Sequence, residues 1–240
     1  MHVFVSIIRW TLGLLTFLVV GLLILPFLPF ERLRYPAARL FSRLLLKAAG
    51  GKLIVEGDFP DDRRYLIMIN HATFIDPLIS AAVSRGRFTG LIAESQTHYP
   101  LWGSLVRMFK VIPIKRGDRQ ASREAIKIAE RRLADGYHVF ILPEGTRTLT
   151  GKMGPLKKGG FHMALNTGAP ILPIGIEGGF AFKSKLSWIL RPGPLHVRFG
   201  DPLEPETYAN LSLEGVMAEV RQRLLVLSGE QKAEDHFAPK

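Results

Sequence analysis

The chain has 240 residues, 47% of them hydrophobic, which suffices for one α/β domain with a sizeable core and an appendage. It contains no cysteine, and this excludes a disulfide framework, a thiolate metal site and a cysteine nucleophile. With 32 Lys+Arg against 21 Asp+Glu the formal net charge is +11, a balance that attracts nucleic acid or an anionic membrane surface without choosing between them.

Residues 1–50 choose the membrane over nucleic acid. No charge occurs from Trp10 to Phe30 (WTLGLLTFLVVGLLILPFLPF), and as a helix this stretch would span about 31 Å, close to the hydrocarbon thickness of a bilayer. Pro26 and Pro29 stand where a cleaved signal would carry small residues. A buried core helix is the alternative reading, although the segment is apolar on every side. The next segment, YPAARLFSRLLLKAAGG, predicts a second, amphipathic helix over residues 36–49. Arg39, Arg43 and Lys47 line one face, suited to lipid phosphates, and Leu40, Leu44, Leu45 and Ala48 cover the other. The expected appendage is therefore a membrane-anchoring helical hairpin whose partners are membrane lipids and an anionic bilayer surface. Arg32 and Arg34 join those three cations after the apolar stretch, whereas only Arg9 precedes it. This bias places the following domain on the cytoplasmic side, at the inner membrane if the source is bacterial. The prolines equally permit a bent, half-inserted helix.

Beyond Gly50-Gly51 short apolar runs alternate with helical stretches, predicting an α/β domain over residues 51–229 with a mixed or mostly parallel sheet flanked by helices. Candidate strands are Leu53–Val55, Tyr65–Asn70, Thr89–Ala93, Val111–Lys115, His138–Leu142, Ile171–Ile176 and Leu195–Phe199. Between two of them Asp118 caps a predicted helix with Ala125, Ile128, Ala129 and Leu133 as its apolar stripe, ending at Gly136. LSLEGVMAEVRQRLLVLSG predicts a last helix, and residues 230–240 a polar tail.

Two constellations carry chemistry. In NHATFID, His71 and Asp76 follow the apolar run YLIMIN, at the strand end where α/β folds build sites. A regular helix would rotate them about 500° apart, so a working pair needs a turn. Asp76-Pro77 is a helix-start signal, an N-cap followed by proline, and this leaves the preceding residues free to form that turn. The pair reads as general base and orienting carboxylate, or as a cap beside an unrelated histidine. In LPEGTRT, after the run HVFI, a Gly-Thr turn flanked by Glu144 and Arg147 joins backbone N–H groups, a hydroxyl and a guanidinium, a set suited to a phosphate. Lys157 and Lys158 add charge nearby, and VIPIKR ends another strand in two cations. GTRTLTGK is no P-loop: Gly151-Lys152 comes one position late and Met153 replaces the metal-binding hydroxyl. No G-x-S-x-G nucleophile elbow occurs.

NHATFID, VIPIKR, LPEGTRT and ILPI, in this order, resemble the four motifs of the glycerolipid acyltransferase family that includes the 1-acylglycerol-3-phosphate acyltransferases. The similarity runs from about His71 to Ile174, and PGPLHVRFGDPL resembles the family's closing strand. The resemblance implies His71 as general base and Asp76 as its orienting carboxylate. It implies Arg116, Glu144, Gly145, Thr146, Arg147 and, less closely tied to a motif, Lys157 around the acceptor's phosphate, and Pro173 on the acyl or donor side. It implies no metal and no cofactor, with acyl-CoA or acyl-carrier protein as cosubstrate and lysophosphatidate as acceptor. Other acceptors of the family are glycerol 3-phosphate, another lysophospholipid or a lyso-aminolipid. Two positions depart from the family pattern: Lys110 replaces a common glycine and Leu142 a common phenylalanine. Outside the family the residues leave open a metal-dependent phosphoesterase and a non-enzymatic lipid-binding protein.

Overall fold

The structure is a computed structural model that describes residues 2–60, 62–99, 102–115 and 117–231. It opens with helix α1 (His2–Ile24), a 3-10 turn over Leu25–Phe27, and α2 (Glu31–Ala48). Strands β1 (Gly51–Glu56) and β2 (Leu66–Ile69) are followed by α3 (Asp76–Val83), β3 (Phe88–Ala93), α4 (Trp102–Met108) and β4 (Ile112–Ile114). Then come α5 (Arg119–Ala134), β5 (His138–Ile141), α6 (Gly159–Thr167), β6 (Ile171–Glu177) and α7 (Gly179–Phe182). The chain closes with β7 (Gly193–Phe199), α8 (Pro205–Tyr208) and α9 (Leu213–Leu227).

The strands form one sheet of order β1-β7-β6-β2-β5-β3-β4, parallel throughout except where β6 meets β7. Because side chains alternate along a strand, β2 feeds two cores. Leu66 and Met68 join Ala125, Ala129, Phe161, Val216 and Val220 under α5, α6 and α9. Ile67 and Ile69 join Leu46, Ile79, Leu172, Phe182 and Leu195 under α2, α3 and α7. The mostly parallel sheet between two helical layers is the expected fold, and all seven expected strands are present. On α5, Asp118 caps as expected, its carboxylate accepting the Ala121 N–H at 2.9 Å, but Ile128 of the expected stripe is exposed.

The amino-terminal hairpin differs from expectation in detail. Helix α1 starts at His2 and takes in Arg9, whose guanidinium turns to the carbonyl of Ala48 at the end of α2. Helix α2 starts at Glu31 and carries Pro36 internally. Its buried stripe is Tyr35, Ala38, Phe41, Ser42 and Leu46, while Leu40 and Leu44 are exposed. Arg43, an exposed residue, donates from Nε to the Ala82 carbonyl near the end of α3. Packing against the domain buries that stripe and leaves uncovered two of the leucines expected to meet the acyl region. Arg34 likewise binds backbone carbonyls, of Leu28 and Pro29 in the hairpin turn and of Met108 in α4. In the expected polar tail, Glu230 accepts the Met153 N–H at 2.8 Å. Residues 232–240 lie outside the described residues.

Candidate active site

The register of the sheet sets the site. Met68 of β2 lies beside Ile141 of β5, and three more residues along each parallel strand reach His71 and Glu144. Glu144, only 4% exposed, accepts the His71 N–H on Oε1 at 2.7 Å and the Gly154 N–H on Oε2 at 2.8 Å. The Thr148 N–H donates to the His71 carbonyl, so the two turns are tied together on both sides of the histidine. Asn70 does the same toward β6: its side chain accepts the Ile176 N–H and donates to the Ile176 carbonyl, extending the ladder by one residue.

His71 and Asp76 meet as the turn geometry required, with Nδ1 and Oδ2 2.8 Å apart. Asp76 is the first residue of α3, with Ile75 at the N-cap, and no side chain caps this helix. The expected capping role is therefore absent: the carboxylate turns back and accepts the Thr73 N–H at 3.0 Å instead. A carboxylate only accepts, so Nδ1 carries the imidazole proton and Nε2 keeps its lone pair. Burial drives the Asp76 pKa above the usual carboxylate range, against the opposing pull of His71 and neighbouring backbone N–H groups. Glu144 is shifted the same way for the same reason. Asp76 Oδ1 is buried without a hydrogen-bond partner among the described residues.

Cations gather beside this pair. Gly145 holds φ +70°, a region open to glycine at little cost, so the turn after β5 can be tight. Its N–H and that of Thr148 are used within the chain, while those of Thr146 and Arg147 have no partner among the described residues. The aliphatic stem of Lys157 packs on Gly145. Lys185 donates from Nζ to Thr146 Oγ1 at 3.1 Å. Lys183 is buried, its Nζ 5.4 Å from the centre of the Phe74 ring, and its pKa is lowered by burial and by Arg147. Neither lysine nor Arg147 has an ion pair with a described carboxylate. Arg116 lies outside the described residues, although β4 ends beside β3 on the same sheet edge.

An apolar cavity of about 400 Å³ adjoins the site. Its wall is built by Leu18, Leu22 and Leu25 of the first hairpin segment, Phe41 of α2, Leu78 of α3, Leu91 of β3 and Leu105 of α4. Pro77, next to Asp76, and Leu142, two residues before Glu144, connect it to the polar groups.

A profile of the family described as Acyltransferase matches residues 52–177, the stretch that holds His71, Asp76, Glu144 and Arg147. The chain belongs to the acyltransferase family. A 1-acyl-sn-glycerol-3-phosphate acyltransferase of Borreliella burgdorferi is 31% identical over 68% of this acyltransferase-family chain and 69% of its own length. One of Cocos nucifera is 31% identical over 81% of this chain, which matches 65% of that longer protein. The crystal structure of the 1-acyl-sn-glycerophosphate acyltransferase from Thermotoga maritima superposes with a TM-score of 0.81 at 20% identity and covers 97% of both chains.

In this acyltransferase fold, two of the expected positions make contacts within the chain that the resemblance does not describe. Each oxygen of Glu144 accepts one backbone N–H, so Glu144 ties the His71 turn to the segment at Gly154. Pro173 lies inside β6 beside Met68, with its carbonyl bonded to Gly200 N–H, and does not line the apolar cavity. Thr73, Lys183 and Lys185 were missed. The lysines lie more than thirty residues after LPEGTRT, and only the crossover from β5 past β2 to β6 returns them to the site. Lys110 has φ +53°, the left-handed region, and this accounts for glycine at that position in the family pattern. Its ammonium is held by Tyr137 Oη at 2.9 Å.

Proposed function

We propose that the chain is a membrane-associated 1-acyl-sn-glycerol-3-phosphate acyltransferase, moving an acyl group from acyl-CoA or acyl-carrier protein to lysophosphatidate. The observation that carries this reading is the His71–Asp76 pair, its carboxylate buried and the imidazole Nε2 without a partner among the described residues, beside a cationic turn and an apolar cavity. An alcohol is a weak nucleophile at neutral pH, and a positioned imidazole accelerates its attack by roughly 10²–10⁴-fold. Nε2 takes the hydroxyl proton as the oxygen bonds to the thioester carbonyl carbon, and Asp76 steadies the imidazolium across Nδ1. The tetrahedral intermediate collapses by breaking the C–S bond, and the imidazolium returns the proton to the thiolate. Thr146, Arg147, Lys157 and Arg116 hold the acceptor's phosphate, and the cavity takes an acyl chain whose burial is worth about 0.8 kcal/mol per methylene.

The membrane part of the reading rests on α1. The apolar stretch His2–Phe27 is long enough to cross a bilayer, and only 6% of its most apolar window is buried. Yet α1 meets the domain near both ends, through Ser6 on Leu190 and through Leu22 and Ile24 at the cavity, so it lies along the domain. This geometry favours insertion in one leaflet over a crossing, with the catalytic domain at the cytoplasmic face.

The test is transfer of labelled acyl groups by purified full-length protein in detergent, with a panel of acceptors against both donors. Lysophosphatidate should be the best acceptor, and His71→Ala should abolish turnover with the melting temperature nearly unchanged. Retention of most of the rate in that variant would overturn the general-base role.

A further inference from the structure

Residues 183–192, between α7 and β7, use their backbone to fasten themselves to two other parts of the molecule. Toward α1, Ser6 Oγ accepts the Leu190 N–H at 3.0 Å while its hydroxyl proton is shared between the His2 carbonyl at 2.7 Å and the Leu190 carbonyl at 3.2 Å, and Trp10 Nε1 donates to the Trp188 carbonyl at 2.9 Å. Toward the site, Thr73 Oγ1 donates to the Lys183 carbonyl at 3.0 Å, and Lys185 reaches Thr146. Trp10 also stacks on Phe74, the residue after Thr73 in the His71–Asp76 turn. The root of the loop is therefore rigid, with Ser6 and Leu190 almost wholly buried.

Its tip is the opposite. Leu186 is 82% exposed, more than Leu22, which at 71% is the most exposed large apolar residue of α1, and Trp188 is 52% exposed. A lone exposed leucine on a soluble surface needs no explanation. Here two large apolar side chains stand beside a helix whose apolar surface is itself uncovered, so the exposed surface is continuous across Trp10 and Trp188. Lys185 and Arg191 flank the tip, and a cationic rim around an apolar tip with a tryptophan is the composition of a bilayer interface element.

We propose that residues 183–192 form an interfacial loop that docks on an anionic lipid bilayer beside α1, with Leu186 and Trp188 entering the interface and Lys185 and Arg191 facing lipid phosphates. The loop then links the headgroup layer directly to the candidate site, because Lys185 also contacts Thr146. This rests on the membrane reading of α1, and the two are tested apart by a loop substitution read beside tryptophans the chain already contains. It has three, Trp10 on α1, Trp102 on α4 and Trp188 on the loop.

The experiment uses the full chain labelled with fluorotryptophan in phosphatidylcholine–phosphatidylglycerol nanodiscs, its fluorine resonances assigned by single Trp→Phe substitutions. A lipid carrying a nitroxide near the headgroup should erase the Trp10 and Trp188 signals, and an aqueous gadolinium chelate should leave both. Because Trp10 and Trp188 are in contact, Leu186→Glu separates the test of the loop from that of α1. It should weaken binding of the full chain to vesicles of the same lipids several-fold. If binding is unchanged while the lipid nitroxide still erases Trp10, the loop proposal fails and α1 keeps its place in the bilayer. Loss of both signals to the chelate alone would overturn the membrane reading together with the loop.

Discussion

The replacement Glu144→Gln separates two roles for a residue that the motif resemblance assigned to phosphate binding. Its two oxygens each accept one backbone N–H, from His71 and Gly154, inside a nearly closed environment. Hydrogen bonds to a charged acceptor contribute about 1.5–3 kcal/mol each, and a buried donor left unpaired costs about 1–3 kcal/mol. Glutamine keeps one acceptor but turns its NH₂ toward the second N–H, so one bond weakens and the other is lost. Relief of the burial penalty that raises the Glu144 pKa offsets part of this, leaving a net loss of about 2 kcal/mol. Because the first bond holds His71 itself, a shift of that turn should lower kcat by roughly 10²-fold. The acceptor's KM should stay within about a factor of two, since no substrate contact is removed. Steady-state kinetics in detergent, with denaturant melts of the same samples, reads all three quantities. A residue touching the phosphate would behave differently: removing its negative charge should lower the acceptor's KM with kcat intact. That result would refute the positioning role.

Asp76→Asn should keep the fold but misorient the imidazole tautomer, with turnover falling roughly 10³–10⁴-fold and stability changing by less than about 1 kcal/mol. The same variant tests the titration of the buried carboxyls. The folded pKa of Asp76 is raised by burial, so over the window from the ordinary carboxylate value up to the raised one the folded state binds more protons than the unfolded state. Stability contributed by the protonated group is therefore lost as pH rises through that window, and Asp76→Asn should flatten this slope; an unchanged slope in pH-dependent melts would contradict it. Lys110→Gly should relieve about 1 kcal/mol of left-handed strain but give up the bond to Tyr137 and gain unfolded-chain entropy, so melting should move little either way. Lys110→Ala keeps the strain and loses the bond, so it should be about 1 kcal/mol less stable than Lys110→Gly, a ranking that denaturant titration checks. Ala81→Leu fills part of the apolar cavity and should shorten the acyl chain preferred in a donor chain-length series, each excluded methylene costing about 0.8 kcal/mol of binding.

Local pattern was enough for the elements. Alternating apolar residues mark β2, β5 and β6, and the Asp118 cap with Ala125, Ala129 and Leu133 marks α5, because period and capping are properties of short stretches. Helix α6 was not anticipated, since it opens on Gly159-Gly160, residues of poor helical propensity that packing under β2 and β5 overrides. The turn joining His71 to Asp76 was also legible, because five residues and a proline leave few ways to bring the two together.

Which residues face one another across the site depends on register and topology, and no local signal encodes either. Glu144 reaches the His71 N–H because β2 and β5 pair in parallel with Met68 beside Ile141, a matter of seventy-three positions of separation. Lys183 and Lys185 arrive only because β6 lies on the other side of β2 and its following turn folds back over Thr73 and Thr146. The side of α2 that is buried was likewise settled by packing on the domain, with Leu40 and Leu44 left exposed. Composition and motif order thus specify the class of chain and the pairing of His71 with Asp76. The partners that hold the pair in place come from strands and loops far apart in the chain, brought together by hydrogen-bonded pairing that only the folded sheet decides.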